Sequence, residues 1–133
     1  MKVILYADGG ARGNPGPAAV AVVLINERGI KKTFSKYIGQ ATNNQAEYQA
    51  LIFGLEKAKQ LKASELDCYL DSELIVNQIN RRYKIKNREL GSLFIKVWNL
   101  SQGFRKINFY YISRDKNKEA DRLVNKTLDK IDN

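Results

Sequence analysis

The apolar residues of this chain change period in a fixed order, and that order limits the folds open to it. Residues 2–7 alternate and are rich in β-branched and aromatic types, which reads as a strand. Gly9-Gly10-Ala11-Arg12-Gly13-Asn14-Pro15-Gly16-Pro17 is a turn-rich loop. Residues 18–25 are almost wholly apolar and read as a buried strand, with Asn26-Glu27-Arg28-Gly29 turning into a third strand over 30–38. Thr42-Asn43-Asn44 then offers helix caps. From Gln45 to Leu61 the period switches: Ala46, Ala50, Leu51, Gly54, Leu55, Ala58 and Leu61 recur at spacings of three and four. Residues 65–70 alternate again, and Asp71-Ser72 caps a short helix to about Asn80. Leu90, Leu93, Phe94, Val97, Trp98 and Leu100 mark a further helix, and 107–112 a further strand. The last helix covers 116–131, with Ala120, Leu123, Val124, Thr127, Leu128 and Ile131 inward. The order β-β-β-α-β-α-α-β-α, without repeat or linker, predicts one α/β domain over residues 1–133: a five-stranded mixed sheet flanked by helices.

What the chain lacks narrows its chemistry. It has one cysteine, Cys68, and no histidine. That excludes an internal disulfide, a structural zinc site and every histidine-dependent triad. Cys68 reads as a small buried strand residue. Catalysis would have to rest on carboxylates, lysines, hydroxyls or metals held by oxygen. No apolar run approaches the roughly 18 residues a membrane span needs. The start is too quickly polar for a signal peptide, so a cytoplasmic location is expected.

The 23 Lys+Arg against 14 Asp+Glu leave a formal charge of +9, which points to a polyanionic partner. The densest stretch is Arg81-Arg82-Tyr83-Lys84-Ile85-Lys86-Asn87-Arg88. It reads either as a solvated basic segment or as a phosphate-contacting strip in which Tyr83 can stack on a sugar or base. A membrane surface is the weaker reading, because there is no strongly amphipathic basic helix to lie on it.

Four acids stand where acids are rarely found. Asp8 follows the first strand and Asp71 ends the fourth, so both face the crevice beyond the strand ends if those strands are neighbours. Glu47 lies three and four residues before Ala50 and Leu51, on the apolar stripe of its helix. Asp121 precedes Val124 and Leu128 by three and seven, which turns it inward too. Taken singly, Asp71 could be a helix cap, Asp8 a turn acid, and Glu47 or Asp121 half of an internal salt bridge. Taken together, four converging acids repel one another, and protons or cations must compensate. A hard divalent cation accepts oxygen ligands alone. Two such ions, about 3.5–4 Å apart, can activate water on one side of a phosphodiester and neutralise the leaving oxygen on the other. A basic domain with a carboxylate-only metal site reads as a nuclease or a polymerase-type phosphoryl enzyme, and a nuclease is the more economical at this length.

The segments carrying these acids are Tyr6-Ala7-Asp8-Gly9-Gly10, Thr42-Asn43-Asn44-Gln45-Ala46-Glu47, Leu70-Asp71-Ser72 and Asn117-Lys118-Glu119-Ala120-Asp121. In order and spacing they resemble type 1 ribonuclease H over essentially the whole chain. The resemblance implies Mg²⁺-dependent or Mn²⁺-dependent endonucleolytic hydrolysis of the RNA strand of an RNA–DNA hybrid, leaving 5′-phosphate and 3′-hydroxyl ends. By position, Asp8, Glu47, Asp71 and Asp121 match the family's metal-binding catalytic acids, with Asp8 shared between two ions, Glu47 near the RNA strand and Asp121 peripheral. Asn14, Asn43 and Asn44 match positions that meet RNA 2′-hydroxyls, a role suited to an amide that both donates and accepts. The asparagines can also cap the helix that follows. Thr42 and Asn87 match a pocket for a phosphate of the DNA strand. A monomer is expected, with duplex RNA as a further substrate class.

Two departures from the family stand out. Many members carry a histidine in the loop before the last acid, where this chain reads Ser113-Arg114-Asp115-Lys116. Arg114 is the expected substitute; arginine can meet a phosphate oxygen but cannot shuttle protons near neutral pH. Some members also insert a long basic protrusion, where only residues 81–88 stand here. A non-catalytic nucleic-acid-binding domain, or another nuclease on the same fold such as a junction resolvase, are the competing readings. Trp98 reads as core or helix packing, with stacking on a DNA strand as the alternative. Gly9 and Gly10 are expected to allow a turn and close approach of substrate.

Overall fold

A computed structural model describes residues 1–132. Five strands and four helices follow in the order β1 (Lys2–Ala11), β2 (Gly16–Asn26), β3 (Lys31–Ala41), α1 (Asn43–Gln60), β4 (Glu65–Leu70), α2 (Glu73–Ile79), α3 (Arg88–Ser101), β5 (Lys106–Tyr111) and α4 (Lys118–Asp132), with a single 3-10 turn at Arg114–Lys116 before α4. The predicted element order holds throughout. The strands lie in the order β3-β2-β1-β4-β5. β1, β2 and β3 form an antiparallel meander, whereas β4 and β5 pair parallel to β1 and to each other. The parallel pairings need crossovers, which α1 and the α2–α3 pair supply.

The sheet is covered on both faces, unequally. Val3, Leu5, Ala7, Val20, Val22, Leu66, Cys68 and Leu70 turn towards α1 and join the main core, together with Leu51 and Leu55 of that helix. Gly54 lets α1 lie close: a Cβ there would come within 2.7 Å of Leu5 Cδ1. On the opposite face α4 sets Val124 and Leu128 against Ala19 and Ala21. Cys68 is fully buried and unpaired, as expected.

Three details correct the sequence reading. β1 does not stop before the glycines but continues through Gly9 and Gly10 to Ala11, paired with Val20, Ala19 and Ala18 of β2. The weak strand propensity of glycine is overridden by this ladder, and the small facing alanines admit it. Trp98 is not core: it is 46% exposed, with the Arg81 guanidinium 4.4 Å from its ring centroid. The apolar stripe of α3 is wider than the surface α1 covers, so Leu90 and Val97 are buried and Trp98 lies at the rim. Ile131 likewise ends exposed, one turn beyond the last contact of α4 with the sheet.

Candidate active site

The parallel pairing of β1 with β4 ends at Ala7 opposite Leu70. The next residues on the two strands are Asp8 and Asp71, which therefore leave adjacent strand ends side by side. β1 runs on with β2 alone, so a crevice opens at this point, the usual position for a ligand site in such sheets. Alternation along β1 turns Asp8 to the α4 face, where the neighbouring Gly10 would bring a Cβ to 3.6 Å from Val124. Asp121, in the first turn of α4, approaches from that side.

Glu47 arrives from the other face of the sheet, and Gly9 makes this possible. A Cβ at Gly9 would lie 2.1 Å from the Ala46 carbonyl oxygen and 2.8 Å from the Glu47 nitrogen. Only glycine lets the first turn of α1 press against β1 at this height. Gly9 thus serves the approach of a helix, and neither it nor Gly10 makes the turn expected of them.

The electrostatics record the convergence. Burial, then the charges of Asp71, Asp121 and Glu47 and a hydrogen-bonding contact with Asp121, push Asp8 up to about 8. Burial pushes Glu47 up to about 7, against the Ser72 hydroxyl; Asp71 adds to the rise and Arg114 opposes it. Burial also raises Asp71, while a hydrogen bond from Asn117 and the charge of Arg114 draw it down. The single-residue explanations fall away. Ser72, not Asp71, caps α2, accepting from Ile75 N at 3.2 Å. Asp8 lies within a strand, and neither Glu47 nor Asp121 forms an ion pair among the described residues.

Among the described residues, no group of three or more Asp, Glu, His or Cys side chains is close enough to hold a metal as it stands. The donor set nevertheless suits a hard cation. All four donors are carboxylates, and Glu47 Oε2 is sealed from solvent with no hydrogen-bond partner. Burial first and neighbouring carboxylates second raise Asp8 and Glu47, and of these two Arg114 opposes the rise only at Glu47.

The predicted substrate residues fall into two groups. Asn43 donates its backbone N–H to Asn14 Oδ1 at 3.0 Å and accepts from Ala11 N through its own Oδ1 at 2.9 Å. The β1–β2 turn and the start of α1 are thereby stitched together, with the half-buried Asn44 beside them. Thr42 caps α1 in a reciprocal box with Gln45, and Asn87 caps α3 by accepting from Leu90 N at 3.1 Å. Gln45 Nε2 donates to Glu89 in the first turn of α3, so the two capped helix ends are tied together. Tyr83 stands apart. It lines an open groove of about 850 Å³ with Arg81, Arg82, Lys84, Arg88 and Phe94, and none of the four acids reaches it.

Two polar residues of the crevice were given no part in the site by the sequence. Ser72 acts on Glu47, and Asn117 is 2% exposed and hydrogen-bonded to Asp71. Their sequence signal was their place beside an acid in the segments Leu70-Asp71-Ser72 and Asn117-Lys118-Glu119-Ala120-Asp121.

The sequence profile of a family described as reverse transcriptase-like matches residues 6–127. The bifunctional protein Rv2228c of Mycobacterium tuberculosis is 45% identical over 131 residues, and this chain spans only 36% of its length. The solved RNase H1 of the archaeon Halobacterium salinarum has a TM-score of 0.95 and 37% identity, covering 98% of this chain and 99% of that one. An LC11-RNase H1 solved in complex with an RNA/DNA hybrid has a TM-score of 0.93 and 42% identity, at 98% and 99% coverage. With the sheet order and the nearly full-length likeness to solved RNase H1 structures at this identity in agreement, the chain belongs to the type 1 ribonuclease H family.

Proposed function

We propose that this chain is a metal-dependent endoribonuclease that hydrolyses the RNA strand of RNA–DNA hybrids. The observation that carries the reading is the set of four mutually repelling carboxylates that β1, α1, the end of β4 and α4 bring to one crevice, on a domain of charge +9. A domain that only bound nucleic acid would gain affinity from losing those negative charges. The likeness to an RNase H1 crystallised on a hybrid supports the substrate class.

In this reading Asp8, Glu47, Asp71 and Asp121 hold two Mg²⁺ ions, with Mn²⁺ as substitute. The ions, when bound, would supply an activated water and a neutralised leaving oxygen, consistent with 5′-phosphate and 3′-hydroxyl ends. The protein's own contributions surround them. Asp8 would be the ligand shared by the two ions, and Asp121 would hold a metal from the periphery. Arg114 faces Glu47 and Asp71 and meets a phosphate oxygen, without the proton transfer a histidine would provide. Asn14, Asn43 and Asn44 read 2′-hydroxyls of the RNA strand. A DNA-strand phosphate sits by Thr42 and Asn87, where two helix N-termini supply N–H groups. The groove around Tyr83 adds salt-dependent backbone contacts further along the duplex. The single domain, the monomeric state and the cytoplasmic location belong to the same proposal. Among the described residues no helix is long and apolar enough to cross a membrane.

The test is a cleavage assay on labelled hybrid, duplex DNA and duplex RNA with Mg²⁺ or Mn²⁺, run beside Asp71→Asn. Cutting confined to the RNA strand, metal-dependent and reduced about a thousandfold or more in the variant, is expected. Hybrid binding without cutting in either metal would show a binding domain instead. Cleavage of duplex DNA would move the chain to another nuclease class.

A further inference from the structure

Asn117 is the most completely buried polar side chain of the crevice, at 2% exposure. It precedes α4 and makes contact with three segments at once. Its Nδ2 donates to the Ala7 carbonyl at 2.9 Å, one residue before Asp8. The same nitrogen donates to Asp71 Oδ2 at 3.1 Å. Its own carbonyl accepts from Asp121 N at 3.1 Å, which closes the first turn of α4. One uncharged residue thus bonds Asp71 by its side chain, Asp121 by its backbone, and the residue before Asp8.

The orientation of the amide is dictated by chemistry. Both groups facing Nδ2 are acceptors only, so the side chain cannot be turned over without setting an oxygen against a carbonyl and a carboxylate. The opposite atom, Oδ1, is buried and has no partner. An unpartnered buried acceptor is unfavourable. A chain that keeps it has use for the two donors on the other side of the amide.

We propose that Asn117 is a positioning residue for the metal-binding acids, holding Asp71 by one oxygen against the end of β1 while its backbone seats Asp121. This rests on the function proposed above. By occupying Oδ2, Asn117 leaves Asp71 one oxygen to offer a cation and fixes the direction in which it is offered. By binding the Ala7 carbonyl, it sets Asp8 at a constant separation from Asp71. Groups behind a metal's ligands commonly alter affinity or activity by about 10–100-fold when removed.

The experiment compares wild type with Asn117→Ser and with the isosteric Asn117→Asp, which turns two donors into acceptors. Each is assayed well below its own melting temperature. The expected result is a fall of about 10–100-fold in kcat, with hybrid KM within about threefold. Mg²⁺ affinity of the free protein, read by calorimetry, should weaken about tenfold in Asn117→Ser. In the wild type, the Asn117 side-chain amide protons should exchange slowly and shift when Mg²⁺ is added. That measurement stands even if both variants fail to fold. Folded variants with wild-type kcat and Mg²⁺ affinity would overturn the proposal. So would an amide that exchanges freely and ignores Mg²⁺. If the wild type itself cuts no hybrid, the functional reading fails, while the Mg²⁺ titrations still judge Asn117.

Discussion

The crevice at the ends of β1 and β4 and the groove beside α3 both concentrate charge, by opposite means. The groove's cations lie within eight consecutive residues, 81–88, and Arg81, Arg82, Lys84 and Arg88 are all exposed. They stay in contact with water, so their gathering costs little folding energy and their effect on a polyanion is screened by salt. The crevice draws its acids from positions 8, 47, 71 and 121 and withdraws them partly from water. That arrangement is unfavourable without a compensating charge, and packing, the hydrogen bonds of Asn117 and the charge of Arg114 hold it together. In the function proposed above, one region would supply affinity and the other chemistry, and they should answer differently to substitution, pH and salt.

The strongest test of the crevice leaves its acids untouched. Gly9→Ala should force the first turn of α1 off β1, because the new Cβ would meet the Ala46 carbonyl at 2.1 Å. A loss of about 1–3 kcal/mol of stability is expected, with kcat down by about 100-fold as Glu47 moves. Gly10→Ala is the control. Its Cβ meets only Val124 at 3.6 Å, so it should remain within about 1 kcal/mol of the wild type and keep its activity. Equal behaviour of the two variants would remove close helix approach as the device that seats Glu47.

A second difference is in pH. Asp8 and Glu47 rise to about 8 and about 7 in the fold, so between the ordinary carboxylate range and pH 8 the folded chain binds more protons than the unfolded one. Stability of the metal-free protein must therefore fall as pH rises through that window, and be fully present below it. In a chelator, Tm at pH 5.5 should exceed Tm at pH 8.5 by about 5 °C or more. Mg²⁺ should restore the loss at pH 8.5, and Asp8→Asn should flatten the slope. A flat profile in wild type would mean the acids are far better solvated than their burial indicates.

The groove should show the smallest effect and the opposite signature. Lys84→Ala combined with Arg88→Ala should raise hybrid KM about tenfold at low salt while leaving kcat and the metal-free pH slope unchanged. The dependence of binding on salt should become shallower by about one for each cation that no longer meets a phosphate. A change in kcat instead would place these cations at the reacting phosphate and erase the division between the two regions.

Legibility in the sequence followed the same division. The period switches exposed all nine elements, because a two-residue or 3.6-residue stripe is imposed locally by which face is buried. The acids were conspicuous because Glu47 and Asp121 interrupt apolar stripes, and the basic strip was conspicuous because its charges are contiguous. Errors came where a distant segment decided the outcome. Gly9-Gly10 reads as a turn from its own chemistry and is a strand because Ala18–Val20 pair with it. Trp98 belongs to an apolar stripe and is exposed because α1 covers only part of α3.

By itself, then, the amino-acid sequence determined the element order, the cation strip and the identity of the four acids, since each depends on residues near one another in the chain. Only the tertiary structure decided that Asp8 and Asp71 lie level where β1 and β4 part, that Gly9 admits the helix bearing Glu47, and that Asn117 ties Ala7, Asp71 and α4 together. Those relations join segments up to 110 residues apart. No local propensity encodes them, because strand register and close packing are fixed by the whole core at once.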